Sequence, residues 1–245
     1  MHFSTIIPSL FAALAAATPS GMAERRTLHK RDYYSGNWCG QVLSGSNFTE
    51  VDATWVMPKS TPTKTNLANQ PIYNYQWVGI DGASSDCQTI LQAGTYYTLI
   101  NNQPAYGFWY EFYPDNSWLL SEPTVNPGDS VYVKVTATST TTGNVYMKNL
   151  STGKDFSYDM TAPSGSQLCQ STAEWIQENS GGNQKQFAPF STFSFTNTHA
   201  TDGNGVNYSL TGSEKWIMEP GTQVLCTPSA LTSNSVKISY TGPTN

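Results

Sequence analysis

Two-residue alternation runs through the chain after residue 31, with almost no helical periodicity, and this constrains the fold more than any other feature. Val131, Val133 and Val135 alternate with Tyr132, Lys134 and Thr136. Val236, Ile238 and Tyr240 alternate with Lys237 and Ser239, and Phe193 and Phe195 are flanked by Thr192, Ser194 and Thr196. Successive strand side chains point to opposite faces, so each run offers one face to a core. Turn sequences separate the runs: Asn126-Pro127-Gly128-Asp129, Ser151-Thr152-Gly153-Lys154 and Pro220-Gly221. Abundant Thr, Tyr, Trp and Val, with only 12% charged residues, suits many strands and few helices. The expected fold is all-β, an antiparallel β-sandwich whose two sheets bury one face of each strand against the other.

The first 31 residues read differently. Met1–Ser4 is short and polar, Thr5–Ala17 is nearly all apolar, and small residues close the run at Ala15-Ala16-Ala17. That is the layout of a secretory signal, assigned to residues 1–18. The apolar run is about 13 residues, short of the roughly 20 that span a bilayer, and every later apolar run is interrupted, so no membrane partner is expected. Dibasic Arg25-Arg26 and Lys30-Arg31 mark residues 19–31 as a short propeptide of a zymogen, leaving 32–245 as one domain. Removing residues 1–31 takes away Arg25, Arg26, Lys30, Arg31 and Glu24, leaving 8 Lys+Arg against 16 Asp+Glu, a net of −8. Such a surface excludes nucleic acid and anionic membranes as partners and suits acidic surroundings.

Four cysteines, Cys39, Cys87, Cys169 and Cys226, show no CxxC spacing; in an exported chain they imply two disulfides, with three connectivities open. Asn47-Phe48-Thr49, Asn149-Leu150-Ser151 and Asn207-Tyr208-Ser209 are glycosylation acceptors consistent with export. The expected product is a secreted, extracellular, monomeric glycoprotein.

The histidine count removes several chemistries. His2 and His29 precede Asp32, so His199 is the one histidine of residues 32–245, and no Gly-x-Ser-x-Gly elbow accompanies it. Zinc needs three or four ligands, which disulfide cysteines do not supply, and Gly79-Ile80-Asp81-Gly82 lacks the Lys-Ser/Thr of a phosphate loop. No metal and no cofactor is expected. Carboxylate and amide chemistry remains, concentrated in three segments: Gln76–Gly82 with Thr89–Gly94, Phe108–Pro114, and Ala173–Glu178. On a strand, Glu174, Ile176 and Glu178 share one face, which is ordinary for a cleft and odd for a core. Gln92 shares its face with Ile90 and Gly94. The pattern alone singles out no pair among these groups.

The same segments resemble the glutamic peptidases, or eqolisins. The shared motifs are Asn37-Trp38 with Gly40, Trp77-Val78-Gly79-Ile80-Asp81-Gly82, Ile90-Leu91-Gln92 with Gly94, Trp109-Tyr110-Glu111 with Tyr113-Pro114, and Ala173-Glu174-Trp175-Ile176 with Glu178. The resemblance implies that Gln92 and Glu178 are the catalytic pair, supported by Trp77, Asp81, Tyr110, Glu111 and Glu174. It implies a disulfide Cys87–Cys169, leaving Cys39–Cys226, and a lectin-like jelly roll of two curved sheets. It also implies an acid endopeptidase acting on polypeptides. Glu178, ionised in mild acid at an ordinary carboxylate pKa of about 4.3, would take a proton from a water held against the scissile carbonyl and return it to the leaving amine, and Gln92 would donate to the oxyanion. The alternatives on such a sandwich are a glycoside hydrolase using two of Glu111, Glu174 and Glu178, or a carbohydrate-binding module.

Overall fold

The computed structural model describes residues 32–68, 71–181 and 183–244; the expected signal segment and propeptide lie outside the described residues. In chain order the strands are β1 (Tyr33–Ser35), β2 (Trp38–Ser44), β3 (Phe48–Val56), β4 (Ile72–Ile80), β5 (Ile90–Ile100) and β6 (Gln103–Tyr113). There follow β7 (Trp118–Leu119), β8 (Ser130–Ala137), β9 (Thr142–Asn149), β10 (Asp155–Thr161) and β11 (Thr172–Glu178). The last are β12 (Phe193–Asp202), β13 (Asn207–Tyr208), β14 (Glu214–Met218), β15 (Cys226–Thr232) and β16 (Ser235–Tyr240). Helix among the described residues is confined to one α-turn at Lys64–Leu67 and one 3-10 turn at Gln184–Gln186.

One hydrogen-bonded path runs β10-β9-β8-β3-β12-β16-β15-β14-β2-β11-β4-β5-β6-β7, with β1 added beside β14 and β13 beside β12. Apart from the parallel β1–β14 pair, the pairings are antiparallel. The path curls back on itself, so that β4 packs over β3 and β8, and β5 over β8 and β9. One continuous sheet thereby supplies both layers of the sandwich. Alternating Val131, Val133 and Val135 on β8, with Val145 and Met147 on β9, face Val78, Ile80, Leu91, Phe108 and Phe112 in a core closed to solvent. Full burial of each such side chain contributes roughly 1.5–3 kcal/mol. Two tryptophans cross the core with their N–H satisfied: Trp55 Nε1 donates to Thr95 Oγ1 (3.0 Å) and Trp175 Nε1 to the Asp52 carbonyl (3.0 Å).

Cys39 is bonded to Cys226 and Cys87 to Cys169. The first links β2 to β15 across β14, and the second ties the loop after β4 to the segment entering β11. Of the three expected glycosylation acceptors, Asn47 and Asn207 are exposed, whereas Asn149 is fully buried. Its Nδ2 donates to the Thr124 carbonyl (2.9 Å) and Asp129 Oδ2 (3.0 Å), and its Oδ1 accepts from the amides of Ser151 and Thr152. Asn149 is therefore a loop clamp, and a glycan on it is incompatible with this fold.

Candidate active site

The outer face of β2, β11, β4, β5 and β6 forms a cleft of about 650 Å³. Strand register builds it in rows. On β11, Glu174 stands opposite Val42 and Gly79, Ile176 opposite Gly40 and Trp77, and Glu178 opposite Trp38 and Tyr75. On β5, Gln92 stands between Gly79 and Glu111, Gly94 between Trp77 and Trp109, and Tyr96 between Tyr75 and Gly107. Side chains in one row share a face, so Gln92, Glu111, Glu174, Glu178 and Trp77 all lie on the cleft side. Two glycines make the close packing possible. A Cβ on Gly94 would stand 1.8 Å from the Gln76 carbonyl oxygen, and one on Gly79 would stand 2.9 Å from the Trp77 ring.

Glu178 is half-buried and held from two sides: Trp77 Nε1 donates to its Oε2 (2.8 Å) and Asn37 Nδ2 to its Oε1 (3.3 Å). Burial pushes its pKa up to about 7; the Trp77 N–H opposes that shift and the Glu111 charge adds to it. Glu111 is likewise raised to about 7, first by burial, with the hydrogen bond from Gln92 opposing and Asp115 adding. Gln92 Nε2 donates to Glu111 Oε2, while Gln92 Oε1 is buried with no partner among the described residues. Burial thus raises the Glu178 carboxyl above the ordinary value expected of a glutamate. Glu174 is sealed from solvent, and both its oxygens lack partners among the described residues. Burial raises its pKa well above the ordinary value, and the charge of Asp81 adds to this.

Two expected supporting residues stand outside the cleft. Tyr110 pairs with Ala93 on the opposite face of β6, where its ring packs against Phe156 and Tyr158. Two-residue alternation with Glu111 and Trp109 already carries that signal. Asp81 is fully buried at positive φ (72°), and its carboxylate accepts from the amides of Cys169 (2.8 Å), Gln170 (2.7 Å), Ser171 (2.7 Å) and Thr172 (3.3 Å) and from Ser171 Oγ (2.9 Å). It clamps the entry to β11 and so fixes where Glu174 and Glu178 fall. Asn37, Trp38, Tyr75, Trp109 and Trp216 also line the cleft; the resemblance includes Asn37, Trp38 and Trp109 by motif, without a role. His199 lies away from the cleft, its Nδ1 3.3 Å from Asp52 Oδ1. Among the described residues no group of three His, Cys, Asp or Glu side chains could hold a metal ion.

Such a site can donate and accept protons through a neutral carboxyl and can offer an amide N–H to an oxyanion. Comparison with known proteins leads to peptidases. The model of the peptidase A4 family matches residues 36–240. Aspergillopepsin-2 of Aspergillus niger is 31% identical over 285 aligned positions, covering 98% of this chain and all of that protein. Scytalidopepsin B of Scytalidium lignicola is 37% identical over 194 positions, covering 75% of this chain and 70% of the relative. Among solved structures, scytalido-glutamic peptidase with a transition state analog inhibitor superimposes with a TM-score of 0.72 at 34% identity, over 84% of this chain and 98% of that one. Aspergilloglutamic peptidase from Aspergillus niger gives 0.62 at 35% identity, over 69% and 99%. The chain belongs to the peptidase A4 (eqolisin) family of glutamic endopeptidases.

Proposed function

We propose that Glu178 and Gln92 carry the peptide-bond hydrolysis of this endopeptidase, that they do so at acidic pH, and that Glu178 enters the reaction neutral. The observation that carries the reading is the desolvated Glu178 carboxyl, gripped by Trp77 and Asn37, in one cleft with an amide side chain. With a pKa of about 7, the ionised fraction in the empty cleft at pH 4 is on the order of 10⁻³. A neutral carboxyl can act at both oxygens. Its O–H protonates the scissile carbonyl as water adds, and its other oxygen takes the proton that water releases. In the second step Glu178 gives its proton to the amide nitrogen and its other oxygen takes one from a gem-diol hydroxyl as the C–N bond breaks. The carboxyl is regenerated neutral and all protons are accounted for.

Gln92 donates to the developing oxyanion with the second hydrogen of the nitrogen that already binds Glu111, so Glu111 sets the angle of the amide. A glycoside hydrolase is disfavoured by the family match and by the use of Glu111 to hold a glutamine. Export is supported by the N-terminal apolar segment, the two disulfides and the absence, among the described residues, of any helix long and apolar enough to cross a membrane. The experiment is the pH profile of kcat/KM on a soluble peptide from pH 3 to 8. A plateau in acid that falls as pH passes about 7 is expected; a rise with pH up to 7 would mean that the ionised form is the reactive one.

A further inference from the structure

We propose that Tyr33 and Trp216 form a specificity-determining subsite that takes an aromatic or large aliphatic side chain of the polypeptide substrate. The inference rests on the cleft around Glu178 being the peptidase site. The middle row of the cleft face runs Trp109, Gly94, Trp77, Ile176, Gly40 and Trp216, and β1 extends it by one position, since Tyr33 stands opposite Trp216. The Tyr33 ring stacks on Trp216 with centroids 4.0 Å apart and planes at 26°. Trp216 lies 5.5 Å from Trp38, and Trp38 meets Trp77 edge-on at 4.9 Å. Trp77 is the donor to Glu178. A run of rings therefore leads from the cleft rim to the reacting carboxyl.

The rim is unusually open for aromatic surface. Tyr33 is 49% and Tyr34 58% exposed, although both line the cleft. A three-residue strand on the sheet gains little from presenting two half-bare rings to water, whereas a substrate side chain laid on the free face of Tyr33 would bury apolar area. Charge points to the same occupant. Among the described residues no Lys lines the cleft, and its titratable carboxyls, Glu111 and Glu178, face a substrate that must also pass Trp38, Ile90 and Trp109. Rings stacked in pairs contribute enough to change relative affinity about 3–10-fold.

The test is a peptide series cleaved at one bond, with each flanking position varied in turn among Phe, Leu, Ala and Asp, for the wild type, Tyr33→Ala and Tyr33→Phe. The wild type is expected to favour Phe and Leu over Ala at one position. Tyr33→Ala should cut that preference ratio about 3–10-fold, mainly through KM, and Tyr33→Phe should restore it. An equal loss on all peptides would make Tyr33 a brace for Trp216 rather than a subsite, and an unchanged ratio would remove it altogether; either overturns the inference. If the wild type cleaves none of the series nor denatured protein, the peptidase reading fails instead. Melting temperatures of both variants separate misfolding from lost selectivity.

Discussion

Replacing Glu178 with Gln should make the protein more stable at neutral pH than the wild type, and the size of the gain follows from the burial of the carboxyl. The ordinary pKa is 4.5 and burial in the folded cleft raises it to about 7. Below pH 4.5 both folded and unfolded chains hold the proton, and the group adds nothing to the pH dependence. Between 4.5 and 7 the unfolded chain releases the proton while the folded chain keeps it, so stability falls as pH rises. Above 7 the folded state ionises as well and the loss levels off. The integrated loss is about 3 kcal/mol, reduced to about 2–3 kcal/mol because the cleft is open to solvent. Glutamine keeps the shape and, through its one carbonyl oxygen, the contact to Trp77, without a titrating proton; its amide nitrogen then faces Asn37, a cost that does not vary with pH and so leaves the pH dependence of the difference intact. Urea unfolding followed by tryptophan fluorescence, with disulfides intact, measures the difference at pH 4.0, 5.5 and 7.5. The advantage of the variant should grow by about 2–3 kcal/mol from pH 4.0 to 7.5. Parallel pH curves for the two proteins would show that Glu178 is not held neutral by the fold.

Asp81→Asn should lower stability by about 3 kcal/mol, because an amide nitrogen would face donors that now share a carboxylate, and activity should fall with it; thermal melting checks the first and turnover the second. Gln92→Ala should lower kcat about 10²–10³-fold with KM little changed, measured by steady-state kinetics at pH 4. Asn149→Ala should cost about 1–3 kcal/mol by removing the partner of the Thr124 carbonyl and of the Ser151 and Thr152 amides. Intact-mass analysis of protein from a glycosylating host should find glycans only at Asn47 and Asn207.

Most of the sandwich was legible because its outer strands are buried on one face only. On β8 the burial alternates residue by residue, and on β12 it does so through Phe193 and Phe195. The turns at Gly128, Gly153 and Gly221 all adopt the positive φ that their sequences announce. Alternation fails on β11, where six of seven residues are buried, because a strand between two neighbours with a core below and a cleft above has no solvent face. The pairing of Glu178 with Gln92 was therefore implied by motif resemblance alone; the register puts both on the cleft face but in different rows, Gln92 level with Gly79 and Glu174, and Glu178 level with Tyr75. The role of Asp81 depends on contacts 88 to 91 residues away, which no local pattern records. The raised pKa of Glu178 was not legible for a related reason: desolvation is set by side chains brought together by the fold, not by sequence neighbours.

The most direct test of the central claim is hydrolysis of denatured casein at pH 4 by the wild type beside Glu178→Gln and Gln92→Ala, each shown to be folded. The account predicts cleavage by the wild type, none detectable with Glu178→Gln, and a residual rate with Gln92→Ala. Wild-type turnover by folded Glu178→Gln would contradict it and move the chemistry to another carboxyl of the cleft.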